Sequence, residues 1–213
     1  VLEFLSTRWM DVLFRSYQHA SLVVQCLLLA TVIALVIAAL VVNRPWGAAA
    51  ANSLSSIGLT LPSLALLGLM IPLFGIGTTP SVAIVTFYAT LPIVRNSIVG
   101  LQGVDSAVLE SARGQGMSSF AVLLRVRLPT AWPIIMTGVR VSAQMSMGIA
   151  AIAAYALGPG LGGYIYTGLS QIGGVNAVHY ALVGTIGVVV VALIVDAILA
   201  LIARATTSKG LRA

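Results

Sequence analysis

The tightest constraint on this chain is residues 21–42, a run of twenty-two without a single formal charge. As an α-helix it is about 33 Å long, close to the thickness of a bilayer's hydrocarbon core. Asn43-Arg44-Pro45 closes it with a polar residue, a cation and a helix breaker. Similar apolar stretches follow at 49–74, 79–94, 132–157 and 180–203. Composition supports the same reading: 59% of the 213 residues are hydrophobic and only 8% are charged. A soluble domain needs roughly 25% charged residues to face water. The expected fold is therefore an all-α membrane protein of about five transmembrane helices. No internal repeat, linker or low-complexity tract divides it, so residues 1–213 form one expected domain. Pro62 and Pro72 fall inside the second stretch, where neighbouring helices make prolines tolerable. The third stretch is short and is closed by Pro92 and Arg95.

The net charge of +6 does not point to nucleic acid, because the basic residues are scattered among apolar runs. Their placement reads as a topology signal. With five spans and a cytoplasmic C-terminus, the inner segments hold Arg44, Arg95, Arg113, Arg125, Arg127, Arg204, Lys209 and Arg212. The outer segments hold only Arg8 and Arg15, a clear positive-inside asymmetry. Residues 1–20 mix acids, arginines and aromatics, unlike the basic-then-apolar order of a signal peptide. With Phe4, Trp9, Phe14 and Tyr17 they suggest a short amphipathic helix along the outer interface. Cys26, the single cysteine, lies in an apolar run, which leaves no disulfide framework. His19 and His179 sit at outer span ends without a carboxylate at ligand spacing, so no metal site is expected.

Residues 95–129 are the one long stretch of ordinary polarity, far longer than a usual helix connection. Asp105 is placed to cap a helix over 106–113, and Gly114 or Gly116 to stop it. A second helix over 118–126 starts at a capping serine and ends before Leu128-Pro129. Two short helices around a glycine turn make a knob suited to docking into a soluble partner.

The residues Glu110-Ser111-Ala112-x3-Gly116-x9-Val126-Arg127-Leu128-Pro129 closely resemble the EAA motif, EAA-x3-G-x9-I-x-LP, of ABC importer permeases. Ser111 stands for the usual alanine and Val126 for the usual isoleucine. The runs Thr60–Gly68, Ile71–Gly77 and Leu91–Asn96, with Gly138-Val139-Arg140, are similar to the osmoprotectant branch of that family. The loop Gly158-Pro159-Gly160-Leu161-Gly162-Gly163 departs from that branch's GxGGLG.

The resemblance implies a type I ABC importer permease (MetI-like) fold in a bacterial or archaeal plasma membrane, and a chain that is not itself an enzyme. It also implies two ABC ATPase subunits that carry the ATP and Mg, a second permease chain (identical or different), and an extracytoplasmic solute-binding protein. No cofactor is expected on this chain, which has no G-x4-G-K-[ST] loop and whose only lysine is Lys209. By the same resemblance, Glu110, Ser111, Ala112, Gly116, Leu128 and Pro129 couple the chain to the ATPase. The implied solute is a quaternary amine such as glycine betaine, choline or carnitine. An importer of another small polar solute, such as an amino acid, is the alternative. A secondary transporter working without ATP is disfavoured by the short chain and the scarcity of intramembrane carboxylates.

The spans hold few aromatic residues for a quaternary ammonium (Phe87, Tyr88 and Tyr155). Thr60, Pro62 and Ser63, with Ser142, Gln144 and Ser146, are the groups expected along the path. At 100° per residue the last three do not share one face, and helix–helix hydrogen bonds are the other use for them. Arg140 and Asp196 lie inside spans, where an isolated charge is expensive. They are expected to pair or to meet polar groups near the cytoplasmic gate.

Overall fold

The computed structural model describes residues 2–207, and within them the backbone is helical with no strand. Lys209 and Arg212 of the basic tail lie outside the described residues. Nine α-helices follow in order: α1 (Leu2–Val41), α2 (Pro45–Thr60), α3 (Ser63–Phe74), α4 (Thr78–Gln102), α5 (Ser106–Gly114), α6 (Ser119–Val122), α7 (Leu128–Ile152), α8 (Gly162–Ser170) and α9 (Ala177–Thr206). A π-helical turn (Leu123–Arg127) joins α6 to α7, and a 3-10 turn (Ala153–Ala156) closes α7.

Four stretches are long and apolar enough to cross a bilayer: Glu3–Val41, Thr78–Gln102, Ser119–Ala156 and Ala177–Thr206. The pair α2–α3 counts as a fifth if taken as one span, bent by 96°. Two hydrogen bonds show that the pair does traverse the bundle. Arg127 donates to Asn43 Oδ1 at 2.9 Å, holding the start of α2 at the N-terminal end of α7. The Gly77 amide donates to the Ala156 carbonyl at 2.6 Å, holding the end of α3 at the opposite end of α7.

Several expected boundaries move, each for a physical reason. Residues 2–20 do not form a separate short helix: they are the first half of α1, which is about 60 Å long by its rise. Phe4 anchors that half by burying against Tyr164 and Val183 of α8 and α9. The second span breaks at Leu61-Pro62 because the residue before a proline is driven to extended backbone, and Leu61 has ψ 131°. The third span runs to Gln102, with Pro92 and Arg95 inside α4 rather than ending it. The helix expected over 118–126 does not stop before Leu128-Pro129. There the Leu128 amide bonds to the Leu123 carbonyl, five residues back, and the widened turn carries the chain past a proline that cannot donate. The glycine-rich connection after α7 holds α8, packed on α9.

The core lies where α4 meets α7 and α1. Gly138 permits the α4–α7 approach, since a Cβ there would lie 2.6 Å from Asn96 Cβ. Polar ties join the helices: Ser142 to the Ala89 carbonyl (2.6 Å), His19 against the Met147 carbonyl (3.2 Å), and Trp132 to Thr206 Oγ1 (2.7 Å).

Candidate coupling knob and transport face

The knob over residues 105–127 is built by local rules. The Asp105 carboxylate accepts from the Ala107 amide at 2.9 Å and caps α5; Ser118 caps α6 through the Ala121 amide at 3.2 Å. At the C-terminal end of α5, the Met117 amide bonds back to Ala112 O and the Gly116 amide to Arg113 O. That pair of bonds is a Schellman motif, which places Gly116 in the left-handed region at φ +83°. Leu109, Ala112, Val104 and Val122 form a small core of their own, with Met117 and Val126 packed on it. Its separation from the main core lets the knob hold its shape while standing clear of the bundle.

Among the residues expected to couple, Ala112 faces inward, whereas Glu110, Ser111 and Gly116 are exposed on the knob. Glu110 has no hydrogen bond or ion pair with a described residue. Leu128 and Pro129 lie in the first turn of α7, where the knob joins the bundle.

The six residues expected along the path separate by position. Thr60, Pro62 and Gln144 are exposed and Ser63 is half-buried. Ser142 and Ser146 are fully buried; Ser142 makes the α7–α4 bond given above, and the Ser146 hydroxyl has no partner among the described residues. Thr60 donates to the Ile57 carbonyl at 2.8 Å, and the Leu61 carbonyl freed by the break accepts from the Tyr88 hydroxyl. Tyr88 lies near the middle of α4, so this contact puts the break near the middle of the bundle's depth. Broken helices at membrane depth occur where the backbone is buried in protein or lines a watery cavity. Phe87 packs edge-on against Tyr88, and Tyr155 edge-on against Tyr166 of α8.

Arg140 and Asp196 form the pair that the cost of isolated charge required. Arg140 Nε and Nη2 donate to the two carboxylate oxygens at 2.9 and 2.8 Å, joining α7 to α9. Gln144 is also within reach of that carboxylate.

A further cluster sits at the other end of the molecule and has no simple sequence signal, because its members are more than 150 residues apart. The Tyr164 hydroxyl donates to Asp11 Oδ2 at 2.7 Å, and Arg15 pairs with the same oxygen at 2.9 Å. Arg8 lies 5.2 Å from the ring centroids of Phe4 and Tyr180, and His179 stacks on Phe4. Burial first, then the bond to the Asp11 carboxylate, push the Tyr164 phenol up to about 12.

A five-span helical bundle with a broken second span and a capped knob on one face is the architecture of an ABC importer's membrane permease. The chain belongs to the family described as "Binding-protein-dependent transport system inner membrane component", whose model matches residues 30–208. It is similar to the choline transport system permease protein OpuBB of Bacillus subtilis (strain 168), with 34% identity over 212 residues covering 100% of this chain and 96% of that protein. It is also similar to the glycine betaine/carnitine/choline transport system permease protein OpuCB of the same organism, at 35% identity with the same coverage. The osmoprotectant import permease protein OsmW of Salmonella typhimurium (strain LT2) is 35% identical, covering 92% of each chain. Among solved structures, a chain of the MetNI methionine ABC transporter in an inward facing conformation aligns with TM-score 0.79. It has 22% identity and covers 95% of this chain and 99% of that one, a likeness of fold.

Proposed function

We propose that this chain is the membrane-spanning subunit of an ATP-driven importer for a compatible solute, a quaternary amine such as glycine betaine, choline or carnitine. The observation that carries the reading is end-to-end similarity to permeases named for choline, glycine betaine, carnitine and osmoprotectant transport. An extracytoplasmic binding protein delivers the solute, and two ATPase subunits carry the ATP and Mg. A second permease chain, identical or different, completes the path, because five spans are too few to enclose one. The C-terminus is cytoplasmic and residues near the start of α1 face outside.

The chain's own residues give this reading a mechanism. The ATPase subunits grip the knob at Glu110, Ser111 and the Gly116 turn. Their closure moves α5 as a rigid body, because its small core and two capped ends hold it together. The movement reaches the bundle through the π turn and Leu128-Pro129 at the start of α7. On α7 it is carried to α9 by the Arg140–Asp196 pair and to α4 by Ser142. The solute passes along the open face that holds Thr60, Pro62 and Gln144, where the break in the second span offers polar backbone.

The test is reconstitution of the permease with its ATPase and binding protein in liposomes. Glycine betaine, choline and carnitine are each assayed for uptake and for stimulation of ATP hydrolysis. Stimulation by one or more of them is expected. Stimulation by an amino acid alone would transfer the assignment to that solute class, and uptake without ATP would overturn the importer reading.

A further inference from the structure

Arg95 stands out as a cation without a partner. It lies a few residues past the middle of α4, about 8 Å along the axis, in a helix long and apolar enough to cross a bilayer. It is exposed and makes no hydrogen bond or ion pair with a described residue. An unpaired guanidinium inside a span is expensive against lipid, and a face that is wet or covered by protein suits it better. The face is a shaped one. Arg95 and Asn96 open into a cavity of about 340 Å³ walled by Leu59 of α2 and by Val141 and Met145 of α7. Leu59 immediately precedes Thr60 and the break at Leu61-Pro62, so the cavity adjoins the open step of the proposed path. Asn96 is held in place by donating to the Pro92 carbonyl at 2.9 Å, and Gly138 leaves room for it. No described carboxylate lines this cavity.

We propose that Arg95 is a solute-contacting residue in this cavity, pairing with the carboxylate of a zwitterionic solute during passage and repelling solutes that carry a cation alone. The proposal rests on the quaternary-amine reading above and narrows it to the zwitterionic members of that class. Once the ammonium end has passed the break, the carboxylate meets a guanidinium with free donors. A solute with a hydroxyl in place of the carboxylate gains no such contact and meets a like charge.

The test uses the complete transporter in proteoliposomes, with uptake of glycine betaine and of choline measured at saturating binding protein. Arg95→Gln should lower the kcat for glycine betaine about tenfold, the scale of one lost charged hydrogen bond, and leave that for choline unchanged or raised. Arg95→Lys should keep most glycine betaine transport. If the binding protein delivers one solute only, the contrast between the Gln and Lys variants on that solute decides. Equal slowing of both solutes by Arg95→Gln, or no effect on glycine betaine, would overturn the proposal. A wild-type complex that carries neither solute would instead overturn the reading on which it rests.

Discussion

At the scale of single residues, the proposed coupling depends on positions where one chemistry is required. Gly116 is such a position because φ +83° suits glycine, while open space around it removes steric crowding as the cause. Gly116→Ala should therefore cost about 1 kcal/mol in the turn, and Gly116→Asn less, since asparagine tolerates the left-handed region. The expected readout is a graded loss of binding-protein-stimulated ATP hydrolysis, alanine worse than asparagine, with solute binding to the binding protein intact. Equal hydrolysis in all three proteins would remove the turn from the coupling path. The Arg140–Asp196 pair makes a second prediction. Asp196→Asn strands a cation between α7 and α9, and should lower the melting temperature and yield of the purified complex. Exchanging the two residues should restore part of both. Failure of the exchange to restore either would mean that each charge is needed for other contacts.

At the scale of helices and turns, local sequence dictates some features and distant contacts dictate the rest. Caps and glycine turns are local, so Asp105 and Ser118 are legible from their neighbours and the stop narrows to Gly114 or Gly116. The cost of isolated charge asks Arg140 and Asp196 to pair or to meet polar groups. Features set by distant contacts are not legible in this way. The first half of α1 looks like a surface helix by composition. It continues the span because Tyr164, Tyr180 and Val183, far along the chain, cover Phe4. For Ser142 and Ser146 the path and a helix–helix tie stay open alternatives in the sequence, because polarity does not reveal which side of α7 meets α4. Arg95 reads as the end of a short span because a proline inside a helix, here Pro92 of α4, does not mark itself in hydropathy. The outer cluster also makes a pH prediction. The Tyr164 phenol is held neutral by the fold, so its contribution is complete below pH 10 and is lost as pH rises toward about 12. Thermal melting of the purified complex should drop between about pH 10 and about pH 12 by more than in Tyr164→Phe, which lacks that group. Parallel curves would show that the tyrosine does not stabilise the attachment of α1.

At the scale of the whole molecule, the small number of charges matters less than their distribution between the two ends. α7 runs from the knob at Leu128 to Ile152 near α8, about 38 Å, which separates the two faces by a membrane's thickness. The knob end carries Arg44, Arg113, Arg125, Arg127 and Arg204 among the described residues. The α8 end carries Arg8 and Arg15, and there Asp11 accepts from Arg15 while Arg8 lies over two rings. Uncompensated positive charge therefore collects at the knob, which agrees by the positive-inside rule with the orientation proposed above. Ser119 on α6 and Ser170 at the end of α8 are exposed, whereas the native Cys26 is buried and should contribute little background. In intact cells a membrane-impermeant maleimide should label Ser170→Cys and spare Ser119→Cys until the membrane is permeabilised. The reverse pattern would invert the orientation and leave the knob unable to meet an ATPase. Labelling of both from outside would mean that α7 does not separate the knob from α8 across the membrane.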